Sequence, residues 1–148
     1  MLRPARLDEC SLLSALALRS KAVWGYSPEF LEGCADALTV REQHFPHVIV
    51  SEVDSALAGF YALAPLPPGR AELEFLFVDP PHLGRGHGRA LLEHARHSAR
   101  EAFGARVIEI SGDPNADRFY RRAGARLVGE RPSESFPGRM LPFYELDC

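Results

Sequence analysis

The feature that most restricts the fold of this chain is a run of three closely spaced glycines between a strand pattern and a helix pattern. Residues 72–78 alternate as a β-strand does, residues 86–103 repeat as an amphipathic helix does, and glycine occupies positions 84, 86 and 88. The start of a helix presents unpaired N–H groups and the positive end of the helix dipole, and glycines let an anion approach them. The junction is therefore either a phosphate site or only a tight strand-to-helix connection.

Two common nucleotide motifs do not fit this junction. The dinucleotide fingerprint has the spacing G-x-G-x-x-G, whereas the glycines here follow G-x-G-x-G. The phosphate-binding loop of nucleoside triphosphatases requires a G-K-S/T sequence, which the junction lacks. The sequence therefore favours neither of these two classes of nucleotide-binding protein.

Helix and strand patterns alternate along the rest of the chain. Two helical patterns fill the first 40 residues, with Asp8 placed to cap the first and Pro28 in the first turn of the second. The later predicted elements are strands at residues 47–53, 57–64, 72–78, 106–111, 126–131 and 140–146, and helices at 86–103 and 115–123. This order predicts a mixed α+β protein with a central sheet. Because no linker or repeat interrupts it, we expect one domain over residues 1–148.

The patterns also predict which faces of two elements are buried. Alternation along the strand at residues 72–78 predicts two faces, one with Leu73, Phe75 and Phe77 and the other with Glu72, Glu74, Leu76 and Val78. The helix at residues 86–103 is predicted to bury Leu91, Leu92, Ala95, Ala99, Ala102 and Phe103. On its opposite flank, His87, His94 and His97 form either a solvated polar face or a metal site, and we expect no metal.

Composition and charge argue against several classes of protein. The chain has 148 residues and a net charge of -3, which gives no electrostatic reason to expect binding to nucleic acid or to an anionic membrane. Its three cysteines, Cys10, Cys34 and Cys148, are too scattered for a disulfide framework or a metal knuckle. No apolar run approaches the roughly 20 residues that span a bilayer, and we see no signal-peptide block. We therefore expect a soluble, cytoplasmic protein.

The glycine-rich junction resembles motif A of the GNAT (Gcn5-related N-acetyltransferase) superfamily, Q/R-x-x-G-x-G/A, with Leu83 in place of the polar first residue. Farther along, the segment N-A-D-R-F-Y-R-R-A-G-A at residues 115–125 resembles the family's N-A-x-x-F-Y-x-x-x-G-F. Here Ala125 replaces the final phenylalanine. The resemblance covers residues 45–148 and implies the GNAT fold. In that fold, helices flank both faces of a mixed, mostly antiparallel sheet of about seven strands.

The resemblance implies acetyl-CoA as the acyl donor. Motif A amides hold the coenzyme A pyrophosphate, and the corresponding residues here are Leu83, Gly84, Arg85, Gly86, His87, Gly88 and Arg89. Arg85 or Arg89 is expected to supply the charge that Leu83 does not. The preceding strand of the family pairs its backbone with the pantetheine arm, which implicates Phe77 and Val78. Asn115 either bonds a pantetheine amide or caps its own helix.

Acetyl transfer to an amine needs a base, an oxyanion donor and an acid, because an amine at neutral pH is mostly ammonium. The family's oxyanion donor is a backbone N–H just before motif A, so it corresponds to Phe77 or Val78. Tyr120 matches the family tyrosine that protonates the departing sulfur; a tyrosine that only packs a helix face would leave the same pattern. Glu74 is the first choice of base, with Glu72 and a water chain as the alternatives.

The acceptor side has three further candidates. Trp24 and Tyr26 lie between the two N-terminal helices, where family members place substrate walls, and they either line the cleft or only pack the helix junction. Arg139 either holds a substrate carboxylate or belongs to a surface turn. The glutamates indicate a cationic acceptor, a small molecule or peptide with a primary amine, and the family is often dimeric. The alternatives to catalysis are a coenzyme A-binding sensor or partner-binding module and a plain interaction domain.

Overall fold

Seven β-strands and four α-helices build the protein, and the computed structural model describes all of residues 1–148. The strands are β1 (Leu2–Pro4), β2 (Val48–Val53), β3 (Ala56–Leu66), β4 (Arg70–Val78), β5 (Val107–Ser111), β6 (Arg126–Pro132) and β7 (Met140–Asp147). The helices are α1 (Cys10–Ala22), α2 (Pro28–Cys34), α3 (His87–Phe103) and α4 (Asp117–Arg122). None of the helices combines the length and apolar character needed to cross a membrane.

The strands form a single sheet in the order β1-β2-β3-β4-β5-β7-β6. Every neighbouring pair is antiparallel except β4 and β5, which run parallel. One hydrophobic core, which includes Leu91 and Ile108, joins the sheet to α3. The other, which includes Leu13 and Phe60, joins the opposite face to α1. The predicted architecture, a mixed sheet of about seven strands between two layers of helix, is confirmed.

Most predicted elements are present with small shifts at their ends, and a tight turn joins β2 to β3. Asp54 and Ser55 both have positive φ, 49° and 66°, as a two-residue hairpin turn requires. The strand patterns did not include β1, which has only three residues and therefore too little alternation to detect. Ala102 was expected in the core but is exposed, because it borders an open cavity of about 300 Å³ at the end of α3.

A β-bulge in β4 corrects the predicted faces of that strand. Across the β3–β4 ladder, Leu63 pairs with Leu73 while Ala62 pairs with Phe75, so Glu74 has no partner in β3. An extra residue reverses the alternation of side chains beyond it. Leu73 therefore packs in the α3-side core, whereas Phe75 packs in the α1-side core, and the prediction that they share a face was wrong.

The two parallel strands in the middle of the sheet separate soon after they meet. Residues 70–72 of β4 pair with residues 107–109 of β5, and beyond this point β4 continues for residues 73–78 with no partner on that side. The backbone N–H and C=O groups along this free edge need partners, because a strand edge left unpaired is a template for further hydrogen bonding. The separation thus opens a wedge-shaped cleft in the centre of the sheet.

The N-terminal segment is held to the domain by a buried carboxylate. The prediction that Asp8 caps α1 was wrong: Asp8 lies inside a 3₁₀ turn at Leu7–Glu9, and the Glu9 side chain accepts the Arg6 N–H at 2.8 Å. Glu9 is only 3% exposed and also accepts two bonds from the Arg3 guanidinium, at 2.9 and 3.0 Å. These bonds to Arg3 hold the pKa of the Glu9 carboxyl below its usual range.

Replacing Glu9 by glutamine is expected to lower the free energy of unfolding by about 3 kcal/mol, because it leaves the Arg3 charge without its buried partner. Urea unfolding at neutral pH measures this change. Since the folded-state pKa of Glu9 is depressed, its contribution is present above the unfolded-state pKa and disappears as the pH falls through the folded-state value. Asp8→Asn is the control, since its pair with Arg6 is exposed. If Glu9→Gln and Asp8→Asn lowered the free energy of unfolding equally, the buried pair between Glu9 and Arg3 would not be the stabilising contact.

Candidate active site

The glycine-rich turn before α3 presents a row of free backbone donors. The six N–H groups of residues 84–89 have no acceptor within the protein, and the first intrahelical bond runs from Ala90 N to Gly86 O at 3.0 Å. Gly84 and Gly86 have φ of +75° and +86°, a region that other residues rarely adopt. No protein atom lies within 4 Å of a Cβ built at either glycine, so the space before these amides is open. The turn has the donors and the room that a pyrophosphate requires.

The side chains of the turn contribute unequally. Arg85 and Arg89 are exposed beside the free amides, so both can place a guanidinium near a bound phosphate. The Leu83 N–H already donates to the Pro80 carbonyl at 3.2 Å, and its side chain is 48% exposed, so the structure gives Leu83 no donor for a cofactor. The His87 ring turns inward, with Nδ1 at 3.3 Å from the Ser51 hydroxyl. Only the backbone of His87 therefore faces the anion site.

Phe77 and Val78 lie on the unpaired part of β4, at the mouth of the cleft between β4 and β5. They pair with Phe60 and Gly59 of β3 on one side and have no strand on the other. An amide-containing chain could pair with this free edge as an additional strand would. The unpaired edge of β4 runs from residue 73, next to the bulge at Glu74, to Val78, and the turn with the free amides follows it in the chain.

Tyr120 is the tyrosine that the second motif predicted, and its hydroxyl is available for chemistry. Its ring is buried against Tyr144, with ring centroids 5.2 Å apart, but its hydroxyl makes no hydrogen bond within the protein and is not enclosed. Burial, with smaller effects from Tyr144 and Asp113, raises the pKa of Tyr120 well above its usual value. Tyr120 therefore stays protonated and can act as a donor over the physiological pH range.

Two residues that the sequence did not single out hold Tyr120 in place. A Cβ at Gly112 would lie 2.9 Å from the Tyr120 ring and 3.0 Å from the Tyr144 ring, so only glycine fits there. Tyr144 is fully buried and its hydroxyl donates to the Asp117 carboxylate. No local pattern marks these contacts, because they join residues from β7, α4 and the end of β5.

Glu72 and Glu74 both lie on β4 and are accessible to solvent. Glu72 is the last residue of β4 that pairs with β5, and Glu74 lies just beyond that point. Partial burial raises the pKa of each carboxyl, and the nearby charge of Glu134 raises it further. Glu72 also experiences the Glu74 charge, whereas His44 lowers the pKa of Glu74. Glu74 also borders an open cavity of about 390 Å³, whose other lining residues belong to the segment 43–47 and to residues 63–65 of β3. An unpaired, solvent-accessible carboxylate with a raised pKa has the properties of a general base.

Tyr26, Asn115 and Arg139, three of the predicted site residues, meet in one hydrogen-bond network at the end of β5. The Tyr26 hydroxyl donates to Asp113 at 2.9 Å and accepts from Asn115 Nδ2 at 3.1 Å and from an Arg139 nitrogen at 3.0 Å. Lys21 donates to the same Asp113 carboxylate at 2.7 Å. The network ties the Arg139 guanidinium, through Tyr26, to Asp113 at the end of β5.

Other residues of this region depart from the predictions. Asn115 is not a helix cap: the Asp113 carboxylate accepts the Asn115 N–H at 2.8 Å and caps the 3₁₀ turn before α4. The Asp113-Pro114 dipeptide is a turn signal that could have identified this cap. Trp24 lies outside the network, with 47% of its surface exposed.

The histidines on α3 are not a uniformly solvated face. His94 is half-buried, and its Nδ1 atom lies 2.8 Å from the Tyr61 hydroxyl. His97, in contrast, is exposed. The interpretation as a solvated polar face was therefore wrong for His94, because Tyr61 on β3 reaches that flank. No group of three or more histidine, cysteine, aspartate or glutamate side chains is placed to hold a metal ion.

Comparisons with known proteins agree with this geometry. The model of the acetyltransferase (GNAT) family matches residues 15–125. A GCN5-related N-acetyltransferase from Rhodopseudomonas palustris is 20% identical with a TM-score of 0.79, covering 100% of this chain and 95% of that one. The PaiA N-acetyltransferase from Thermoplasma acidophilum, in complex with coenzyme A, is 19% identical with a TM-score of 0.75 and coverages of 100% and 98%. A GNAT family acetyltransferase from Brucella melitensis, in complex with acetyl-CoA, is 21% identical with a TM-score of 0.67 and coverages of 99% and 86%. No curated protein matches the sequence significantly.

Proposed function

Because the chain belongs to the GNAT acetyltransferase family, we propose that it transfers an acetyl group from acetyl-CoA to a primary amine by direct attack in a ternary complex. The observation that carries this proposal is the row of six free amides beside the open edge of β4. The amides suit the pyrophosphate, and the strand edge suits the amides of pantetheine. The Thermoplasma and Brucella structures, which hold coenzyme A and acetyl-CoA, support the choice of donor.

The residues around the cleft supply each chemical function of the transfer. Glu74, directly or through water, accepts a proton from the ammonium group of the acceptor. The free amine attacks the thioester carbonyl, and a backbone N–H of Phe77 or Val78 stabilises the oxyanion. Attack leaves the nitrogen of the tetrahedral intermediate with a positive charge and two protons. As the C–S bond breaks, the Tyr120 hydroxyl donates its proton to the departing sulfur, and the nitrogen loses one proton through water, which restores the Tyr120 hydroxyl. The products are the amide and free coenzyme A, and the proton held by Glu74 returns to solvent.

A covalent acyl-enzyme is not part of this proposal. Burial raises the pKa of the Cys10 and Cys148 thiols, so both are poor nucleophiles at neutral pH. Cys34, the third cysteine, is buried in α2. Direct attack also needs only the groups already found beside the cleft.

The first test is a calorimetric titration of the purified protein with acetyl-CoA, with desulfo-CoA and NADH as controls. We expect binding of the coenzyme A compounds but not of NADH, followed by thiol release when amines are added with acetyl-CoA. Binding without thiol release over a broad amine panel would favour a coenzyme A sensor instead. A folded protein that binds no coenzyme A compound would overturn the proposal.

Glu74→Gln is expected to lower kcat/KM about 100-fold and to remove the acidic limb of its pH profile, because glutamine cannot accept the proton. Only the deprotonated carboxylate acts as a base, so wild-type activity rises with pH through the elevated pKa of Glu74. The matched control is Glu72→Gln, two residues away on the same strand, which should keep the acidic limb. If the acidic limb of the kcat/KM pH profile were unchanged in Glu74→Gln, then Glu72 or a water chain would be the base.

A further inference from the structure

Arg139 is the one arginine that is shielded from solvent and has no carboxylate partner. Arg3, Arg70 and Arg96 are shielded to a similar degree, and each pairs with a glutamate at hydrogen-bond distance. The other arginines are exposed, where an unpaired charge costs little. A partly desolvated cation without a counter-ion is unfavourable, so its retention here points to an anion that the chain itself does not supply.

Arg139 is held rigidly in this position. Its guanidinium donates to the Tyr26 hydroxyl at 3.0 Å and lies 4.8 Å from the centroid of the Phe30 ring. Its backbone is fixed on both sides: the N–H donates to the Phe136 carbonyl at 3.2 Å and the C=O accepts from Ser133 at 2.8 Å. The side chain is therefore preorganised, and binding an anion would cost it little further conformational entropy.

The Tyr26 network leaves most of the Arg139 donors free. A guanidinium has five N–H donors, and only one nitrogen of Arg139 donates within the protein. Tyr26 gives its own proton to Asp113, and the charge of Asp113 is already balanced by Lys21. The network thus orients Arg139 without neutralising it, and its remaining donors match the two oxygens of a carboxylate.

The same loop carries a negative group at its other end. Residues 133–139 join β6 to β7, and the Ser133–Arg139 backbone bond closes them into a short hairpin. Glu134 lies on this loop, and its charge raises the pKa of both Glu72 and Glu74. A small ligand bound beside this loop would therefore experience negative charge on the side of Glu134 and positive charge at Arg139.

From this arrangement we infer that the acceptor carries a carboxylate as well as the reacting amine, and that Arg139 binds the carboxylate. The inference rests on the proposed function and narrows its acceptor to amino acids and similarly small amino-carboxylates. Glu72, Glu74 and Glu134 surround the ammonium group before it loses its proton, and Arg139 sets the orientation of the molecule. Arg139 is a specificity-determining residue in this scheme and takes no part in proton transfer.

The test measures kcat/KM by thiol release from acetyl-CoA for matched acceptor sets, each an L-amino acid, its amide and its decarboxylated amine. The wild-type protein should prefer the best acid over its amide by about 100-fold, the range for a charge-assisted bidentate pair. Arg139→Met should reduce this ratio to near one. Arg106→Met is the control, since Arg106 is exposed, forms no ion pair and precedes β5, at the end of that strand opposite the network. It should keep the preference.

Titration of each variant with acetyl-CoA separates failure of this inference from failure of the proposed function. If acetyl-CoA binds and amines are acetylated with no preference for acids, the inference is wrong and the proposed function stands. Equal losses for acid and amide in Arg139→Met would show that Arg139 only supports the loop. Arg139-dependent preference for succinyl-CoA over acetyl-CoA would place the carboxylate on the acyl group and also overturn the inference. If acetyl-CoA does not bind, both proposals are wrong.

Discussion

Replacement of Tyr120 by phenylalanine should lower kcat about 100-fold while leaving the affinity for acetyl-CoA within a few-fold of wild type. The hydroxyl makes no bond to the protein, so its loss removes no structural contact. What it removes is the proton donor for the departing sulfur. Steady-state kinetics and calorimetric titration with acetyl-CoA measure the two quantities separately. The raised pKa of Tyr120 also predicts that wild-type activity shows no loss from its ionisation near neutral pH.

Tyr61→Phe is the matched control for this substitution. Tyr61 is a buried tyrosine whose hydroxyl bonds to His94 and Ser98 on α3. Removing that hydroxyl should lower the unfolding free energy by about 1 kcal/mol with kcat preserved. If Tyr120→Phe lowers kcat no more than Tyr61→Phe does, Tyr120 is not the acid and a water molecule must protonate the sulfur.

The second large effect is expected at the glycine-rich turn, where Gly86→Ala should weaken acetyl-CoA binding by about 30-fold or more. Gly86 has φ of +86° and lies in the middle of the row of free amides at residues 84–89. We expect a methyl group at this position to hinder close approach of the pyrophosphate. Losing one charge-assisted hydrogen bond of about 2 kcal/mol accounts for a change of this size. Calorimetric titration with acetyl-CoA measures it.

Gly104→Ala at the other end of α3 separates backbone strain from cofactor binding. Gly104 also has positive φ, 62°, and open space around its Cβ position, but it caps the C-terminus of the helix. Both alanine variants should lose about 1 kcal/mol of stability. Only Gly86→Ala should lose affinity for acetyl-CoA. Equal affinities in the two variants would mean that the glycines are only a structural connection.

Local patterns were enough to predict the architecture and one half of the site. The glycine spacing before α3 predicted a turn with exposed amides, and residues 84–89 present them. The segment containing Asn115 and Tyr120 was predicted as a short helix, and α4 lies there, after β5. The positions of these elements could be predicted because the start of a helix and a short motif are properties of neighbouring residues, which the sequence records directly. The roles of Asn115 and Tyr120 in the site remain predictions.

What the sequence determined by itself is therefore the set of elements apart from β1, their order along the chain and the position of the turn before α3. Only the tertiary structure revealed the bulge at Glu74 and the separation of β4 from β5. The packing of the Tyr120 ring against Gly112 and Tyr144 was likewise visible only there. The tertiary structure also decided that Tyr26 and Arg139, 113 residues apart, share a hydrogen bond. These features depend on strand register and on contacts between distant residues. A hydrophobic pattern that repeats every two residues, as in a strand, or every 3.6 residues, as in a helix, carries no information about strand register or about contacts between distant residues.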